Sequence, residues 1–150
     1  MTFLGRLCRA QATAYEQRAI ELARLSPCLR LKVGAVLVRF GRIVGEGCNA
    51  PVIGKPCETC RRIERGIEPG TRYEECRSLH AEQAAVIDAG READGAILYL
   101  ATLDPATGIP ANRRPCPICA RVLLGAGVNP LVRLVDAPLV DLIECYPGAI

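Results

Sequence analysis

The chain contains one histidine, and a glutamate follows it two residues later in His80-Ala81-Glu82. Further along, Pro115-Cys116-Pro117-Ile118-Cys119 sets two cysteines three apart where proline marks a helix start. That spacing puts both sulfurs on one face of a first turn, pointing at one ion. A helix N-terminus favours negative charge, so both can be thiolates there. His80, from the first turn of another helix, supplies a third ligand. Three protein ligands leave one position of a tetrahedral zinc open, which is the catalytic and not the structural pattern. Glu82 stands close enough to reach a metal-bound water without being a ligand. A carboxylate in that place can take a proton from the water and return it elsewhere. The competing reading makes His80 a helix cap, Glu82 a surface carboxylate and the cysteines core residues. That reading suffices for a lone Cys-x-x-C, but not for several chemically distinct residues at fixed spacings.

These residues need a frame. Leu4, Leu7, Cys8, Gln11, Tyr15, Leu22 and Leu25 share one helical face and predict an amphipathic helix over about the first 25 residues, ended by Ser26-Pro27. Lys32 to Arg39 and Arg42 to Gly47, joined through Phe40-Gly41, read as a hairpin. His80 to Ala89 reads as a helix stopped by Gly90, Ala96 to Ala101 as a strand, and Pro115 to Leu124 as a helix. Leu131 to Val135 is a further strand, and Leu139 to Cys145 a short terminal helix. A hairpin followed by alternating helices and strands predicts one α/β domain over residues 1–150, with a mixed sheet and helices on its faces. Residues 48–78 form a long connection holding Cys48, Cys57, Cys60 and Cys76, which something must tie down.

Composition narrows the setting. Half of the 150 residues are hydrophobic and 23% are charged, which excludes a disordered tail. No apolar stretch approaches the roughly 20 residues of a membrane span. Nine cysteines cannot all pair, and no secretory leader opens the sequence, so the expected compartment is the reducing cytoplasm. A net charge of +3, two Phe and four Tyr argue against a nucleic-acid partner.

With these residues in view, the chain resembles the cytidine and deoxycytidylate deaminase superfamily, and within it the deoxycytidylate (dCMP) deaminase branch. His-x-Glu followed by Pro-Cys-x-x-Cys is the signature of zinc deaminases. The resemblance also includes Cys28-Leu-Arg-Leu-Lys-Val-Gly-Ala-Val-Leu-Val, Gly47-Cys-Asn-Ala-Pro51 and Cys76-Arg-Ser-Leu-His-Ala-Glu-Gln83. It implies a three-layer α/β/α sandwich around a roughly five-stranded mixed sheet. It implies removal of an amino group from C4 of a free pyrimidine nucleotide, dCMP foremost, by a homo-oligomer. It also implies that Asn49 contacts the substrate sugar and that Ala81 lies beside the ring and offers its backbone N–H.

Members of that branch often carry a second, structural metal, for which Cys28, Cys57, Cys60 and Cys76 would make a closed tetrahedral zinc site. Buried free thiols are the alternative. Arg113 and Arg114, ahead of the Pro115 helix, are candidates for a phosphate site or a solvated basic pair. Arg61, Arg62, Arg65, Arg72 and Arg77 alternate with glutamates and read as surface ion pairing or a subunit contact. The loop from Leu103 to Arg114 should border the pocket. Two other readings stand beside the leading one: the same chemistry on a nucleoside, another base or a tRNA adenosine, and a non-catalytic zinc-binding module.

Overall fold

The computed structural model describes residues 3–146, with side chains from residue 13 onward. Helix α1 (Phe3–Leu25) leads into the hairpin β1 (Lys32–Arg39) and β2 (Arg42–Cys48). Leu4, Leu7, Cys8 and Gln11, assigned above to the buried face of α1, have side chains outside the described residues. Phe40 and Gly41 close the hairpin with φ of 49° and 71°, the left-handed pair that a tight two-residue turn needs. After the long connection come α3 (Ala81–Ala89), β5 (Ile97–Leu103), α4 (Pro117–Gly125) and β6 (Leu131–Leu134). The predicted terminal helix is shorter than expected. Val140–Asp141 is a strand, β7, and only Leu142–Cys145 is helical, α5, because the Asp141 carboxylate accepts from Ile143 N at 2.9 Å and starts the helix there.

The five strands form one mixed sheet in the order β2-β1-β5-β6-β7. β5 and β6 are parallel and the other neighbours antiparallel. Tyr99, Ala101, Val36 and Val38 pack on Ala19, Leu22 and Ala23 of α1. The opposite face buries Ala35, Leu37, Leu98 and Leu100 under Ala85 of α3 and Leu123 of α4. The result is the expected three-layer sandwich. β1 is covered on both faces, which is why it reads as a continuous apolar run and not as an alternation.

Close approach of the outer helices depends on glycine. A Cβ built at Gly34 would lie 2.1 Å from the Ala19 carbonyl oxygen and 2.4 Å from Ala23 N, so α1 lies directly on the β1 backbone. Gly45 has the same relation to α3, with the Ala85 carbonyl oxygen at 2.3 Å. Because the obstacles are backbone atoms, Gly34→Ala is expected to destabilise the fold by at least about 2 kcal/mol. Urea denaturation measures this, and an unchanged midpoint would mean that α1 does not seat here.

Within the long connection, Ala50–Pro51 (β3) and Ser78–Leu79 (β4) pair as a small antiparallel ribbon that closes its base. Between them lie α2 (Arg61–Glu64) and a single 3-10 turn at Tyr73–Glu75. The side chain of Glu75, only 11% exposed, pairs with Arg65 at 2.7 Å, Arg72 at 2.6 Å and Arg61 at 3.8 Å. The expected ion pairing is therefore present for these three arginines. Arg62 departs from it: it is 7% exposed and no described carboxylate pairs with it.

Candidate active site

The histidine and the first cysteine occupy equivalent places. His80 is the N-cap of α3 and Cys116 the N-cap of α4, with Cys119 in the first turn of α4. Both helices therefore begin one or two residues later than the sequence reading placed them. The shift aims both N-termini at the same point. Gln83 fixes the histidine backbone, its Oε1 accepting from His80 N at 3.1 Å. Cys116 Sγ accepts from Cys119 N at 3.4 Å, as a capping group does.

His80 Nδ1 lies 3.2 Å from Cys119 Sγ and 3.6 Å from Cys116 Sγ. Among the described residues this trio alone brings three His, Cys, Asp or Glu ligand atoms within 4.8 Å of one another. Tetrahedral zinc with ordinary Zn–N and Zn–S bonds would put nitrogen and sulfur about 3.5 Å apart. The spacing and the donor set, one imidazole with two soft thiols, both fit that ion. The Cys119 hydrogen bond, followed by that of His80, holds Cys116 down at about 4, and the hydrogen bond to Cys116, with burial, pushes Cys119 up. His80 is raised by its hydrogen bond to Cys116.

Glu82 is 5% exposed and stands outside the ligand trio. Burial pushes its carboxyl above the usual carboxylate range, and a hydrogen bond from its own backbone pulls partly back. A carboxyl tuned upward is one that can both take and release a proton near neutrality. Ala81, fully buried, is the first residue of α3, where backbone N–H groups lack a partner within the helix.

Both residues line a cavity of about 680 Å³ that also contains His80 and Cys116. It opens where β1 begins and β5 ends, at the paired residues Val33 and Thr102. Asn49 lines it as well, 9% exposed, with its amide orientation fixed. Its Oδ1 accepts from Ser26 Oγ at 2.7 Å and Val33 N at 2.8 Å, while Nδ2 donates to the Leu31 carbonyl at 2.8 Å. One N–H of Asn49 is left to give. The Leu103–Arg114 loop borders the pocket as expected, through Asn112, Arg113 and Arg114.

Tyr73 was not singled out from the sequence. Its ring meets the His80 imidazole edge-on, with centroids 5.1 Å apart. Burial, with Cys116 adding, pushes its hydroxyl up to about 12. Tyr73 lies seven residues before His80 in an irregular segment, so no periodic pattern marks it.

The remaining cysteines divide. Cys28, Cys60 and Cys76 line the same cavity, and Cys57 lies outside its lining. No three of these four sulfurs come within 4.8 Å of one another. Cys48 and Cys145 are half-buried thiols pushed up by burial.

The chain is similar to proteins of known function. Residues 9–134 match the family described as the cytidine and deoxycytidylate deaminase zinc-binding region. The deoxycytidylate deaminase of Mycobacterium phage D29 is 34% identical over 121 residues, covering 76% of this chain and 86% of that protein. The dCMP deaminase of cyanophage S-TIM5, crystallised in complex with dCMP and dUMP, superposes with a TM-score of 0.57 at 28% identity, over 79% of this chain and 76% of that one. Cytidine deaminase from Mycobacterium tuberculosis superposes with a TM-score of 0.55 at 26% identity, over 93% and 96% of the two chains.

Proposed function

The chain belongs to the cytidine and deoxycytidylate deaminase family, and on that premise we propose that it converts dCMP and water to dUMP and ammonia. The observation that carries this reading is the buried Glu82 beside the His80, Cys116 and Cys119 trio in a nucleotide-sized cavity. The phage relatives named for dCMP support the choice of nucleotide.

Zinc held by His80, Cys116 and Cys119 would supply an acidified water, its pKa drawn toward about 7. Glu82 accepts a proton from the attacking water and delivers it to N3 of the pyrimidine as the water oxygen bonds to C4. Glu82 then takes the remaining proton from that oxygen and carries it to the amine, so the C4–N bond breaks, ammonia leaves and the oxygen stays as the C4 carbonyl. The Ala81 N–H holds the ring, and the remaining Asn49 N–H donates to an oxygen of the sugar. Tyr73 packs against His80 and keeps its ring oriented.

We propose Cys28, Cys57, Cys60 and Cys76 as ligands of a second, structural zinc, which would have to draw together sulfurs that do not cluster without it. Metal analysis is expected to give two zinc ions per chain, and one per chain would remove the second site. The resemblance to the family adds a homo-oligomer, and clustered unpaired cysteines suit the reducing cytoplasm. No described helix is long and apolar enough to cross a membrane.

Ammonia release from dCMP, dCTP, deoxycytidine and cytosine tests the substrate. The highest kcat/KM is expected for dCMP. Preference for deoxycytidine would give the nucleoside reading instead. Release from none of the four would remove pyrimidine deamination.

A further inference from the structure

Between β5 and α4 the chain makes a closed excursion. Asp104 N donates to the Ile109 carbonyl at 2.9 Å, and Gly108 N to the Asp104 carbonyl at 2.8 Å. The Asp104 carboxylate accepts from Ala106 N at 2.9 Å and Thr107 N at 2.8 Å. These bonds shut residues 104–109 on themselves. The returning segment then crosses Thr102, which is 6% exposed. Ala111 N donates to the Thr102 carbonyl at 2.8 Å, and Arg113 N donates to Thr102 Oγ1 at 3.0 Å. One residue stands between these two bonds, Asn112, and its φ is 50°. Asparagine tolerates left-handed backbone better than most residues. Outside glycine, such backbone concentrates where a fold holds a side chain for use.

The cavity of the His80 site has Asn112, Thr102 and Asn49 in its wall. Thr102 is the β5 register partner of Val33 in β1. Val33 N is in turn a donor that fixes Asn49 Oδ1. Both asparagines are therefore anchored to the same cross-strand pair, one through each strand. They differ in what they have left to offer. Asn49 uses its oxygen twice and keeps one N–H. The Asn112 amide is exposed at the mouth and has no hydrogen-bond partner among the described residues, so its oxygen is free to accept. A hydroxyl both donates and accepts, so one donor and one acceptor together satisfy it. Of the next two residues, Arg113 is exposed and Arg114 is turned to Glu144, 3.6 Å away.

We propose that Asn112 is a specificity residue for the sugar, its Oδ1 accepting from the 3′-hydroxyl to which Asn49 donates, an inference that rests on the deaminase reading above. In dCMP that is the one free hydroxyl of the sugar, since C2′ carries only hydrogen and the 5′ oxygen is esterified. Thr102 is the positioning residue. It holds the backbone on both sides of Asn112, so little ordering is left to do on binding.

The test compares the wild type, Asn112→Gly and Asn112→Asp on dCMP and on 2′,3′-dideoxycytidine monophosphate. Melting with dUMP and with 2′,3′-dideoxyuridine monophosphate runs alongside. Glycine accepts the left-handed backbone, so Asn112→Gly removes the amide and keeps the rim. Without ligand it is expected to melt no lower than the wild type. It is expected to lower kcat/KM for dCMP about tenfold more than for the dideoxy compound, the size of one hydrogen bond. Asn112→Asp keeps an acceptor and should retain most of the preference for the hydroxyl. dUMP should raise the wild-type melting temperature more than its dideoxy analogue does, and Asn112→Gly should narrow that difference. Equal losses on both substrates, or no loss on either, would overturn the proposal. So would a loss of preference in Asn112→Asp as large as in Asn112→Gly. If the wild type released ammonia from neither compound, the deaminase reading would fail separately, and melting would still decide the contact. Equal shifts with dUMP and its analogue, or a difference that Asn112→Gly leaves intact, would overturn it.

Discussion

Glu82→Gln is expected to fold, to bind zinc as the wild type does, and to lower kcat for dCMP by about a hundred- to ten-thousand-fold. The amide has the shape of the carboxyl and fits the same buried place, but it cannot accept a proton from water or return one to the amine. kcat and kcat/KM should fall together, because the lost interaction exists only in the transition state. The wild-type carboxyl is buried at 5% exposure and pushed up by that burial. Removing a buried ionisable group is not expected to destabilise the protein, so the variant should melt no lower than the wild type. Steady-state kinetics with a thermal melt check both halves. Turnover within threefold of wild type would remove Glu82 as the proton carrier.

The second large effect concerns the ligands. Cys119→Ser replaces a fully buried sulfur that lies 3.2 Å from His80 Nδ1. Changes in groups that merely support a ligand cost roughly 10–100-fold in metal affinity, and loss of a thiolate ligand should exceed that. The variant is expected to retain little catalytic zinc and to lose detectable ammonia release. Its melting temperature should fall, because binding energy at a metal site is also folding energy. Cys145→Ser, at a half-buried thiol of α5 outside the ligand trio, is the matched control and should keep both zinc and activity. Zinc content by mass spectrometry alongside activity makes the comparison. Full zinc and activity in Cys119→Ser would place the metal elsewhere.

The candidate ligands His80, Cys116 and Cys119, and Glu82 beside them, are legible in the sequence because the spacings within each motif are local. Glu82 comes two positions after His80 and Cys119 three after Cys116, and each pair sits on one helix start whose geometry follows from chain chemistry. The hairpin is legible for the same reason: the turn at Phe40-Gly41 joins two adjacent runs. Helix starts are less so. Whether His80 and Cys116 are first residues or caps depends on where the chain enters the helix, and here both enter with extended backbone, ψ 152° and 162°.

What the sequence hides is non-local. Arg62 stands in the same charged run as Arg61 and Arg65, yet of the three it alone is buried, because α2 turns one side chain inward toward Tyr73. Tyr73 touches His80 through a fold of the long connection that no periodicity announces. Asn49 was marked by resemblance. That its amide is clamped by Ser26, Leu31 and Val33, with one N–H spare, is visible only when α1, β1 and β2 are packed together.

The central claim is hydrolytic deamination at C4 by the His80, Cys116, Cys119 and Glu82 unit. Incubating zinc-loaded protein with dCMP in water enriched in heavy oxygen, and weighing the product, tests it most directly. The expected product is dUMP carrying one solvent-derived oxygen at C4, with an equal amount of ammonia. Unchanged dCMP, or dUMP without the heavy oxygen, would contradict it.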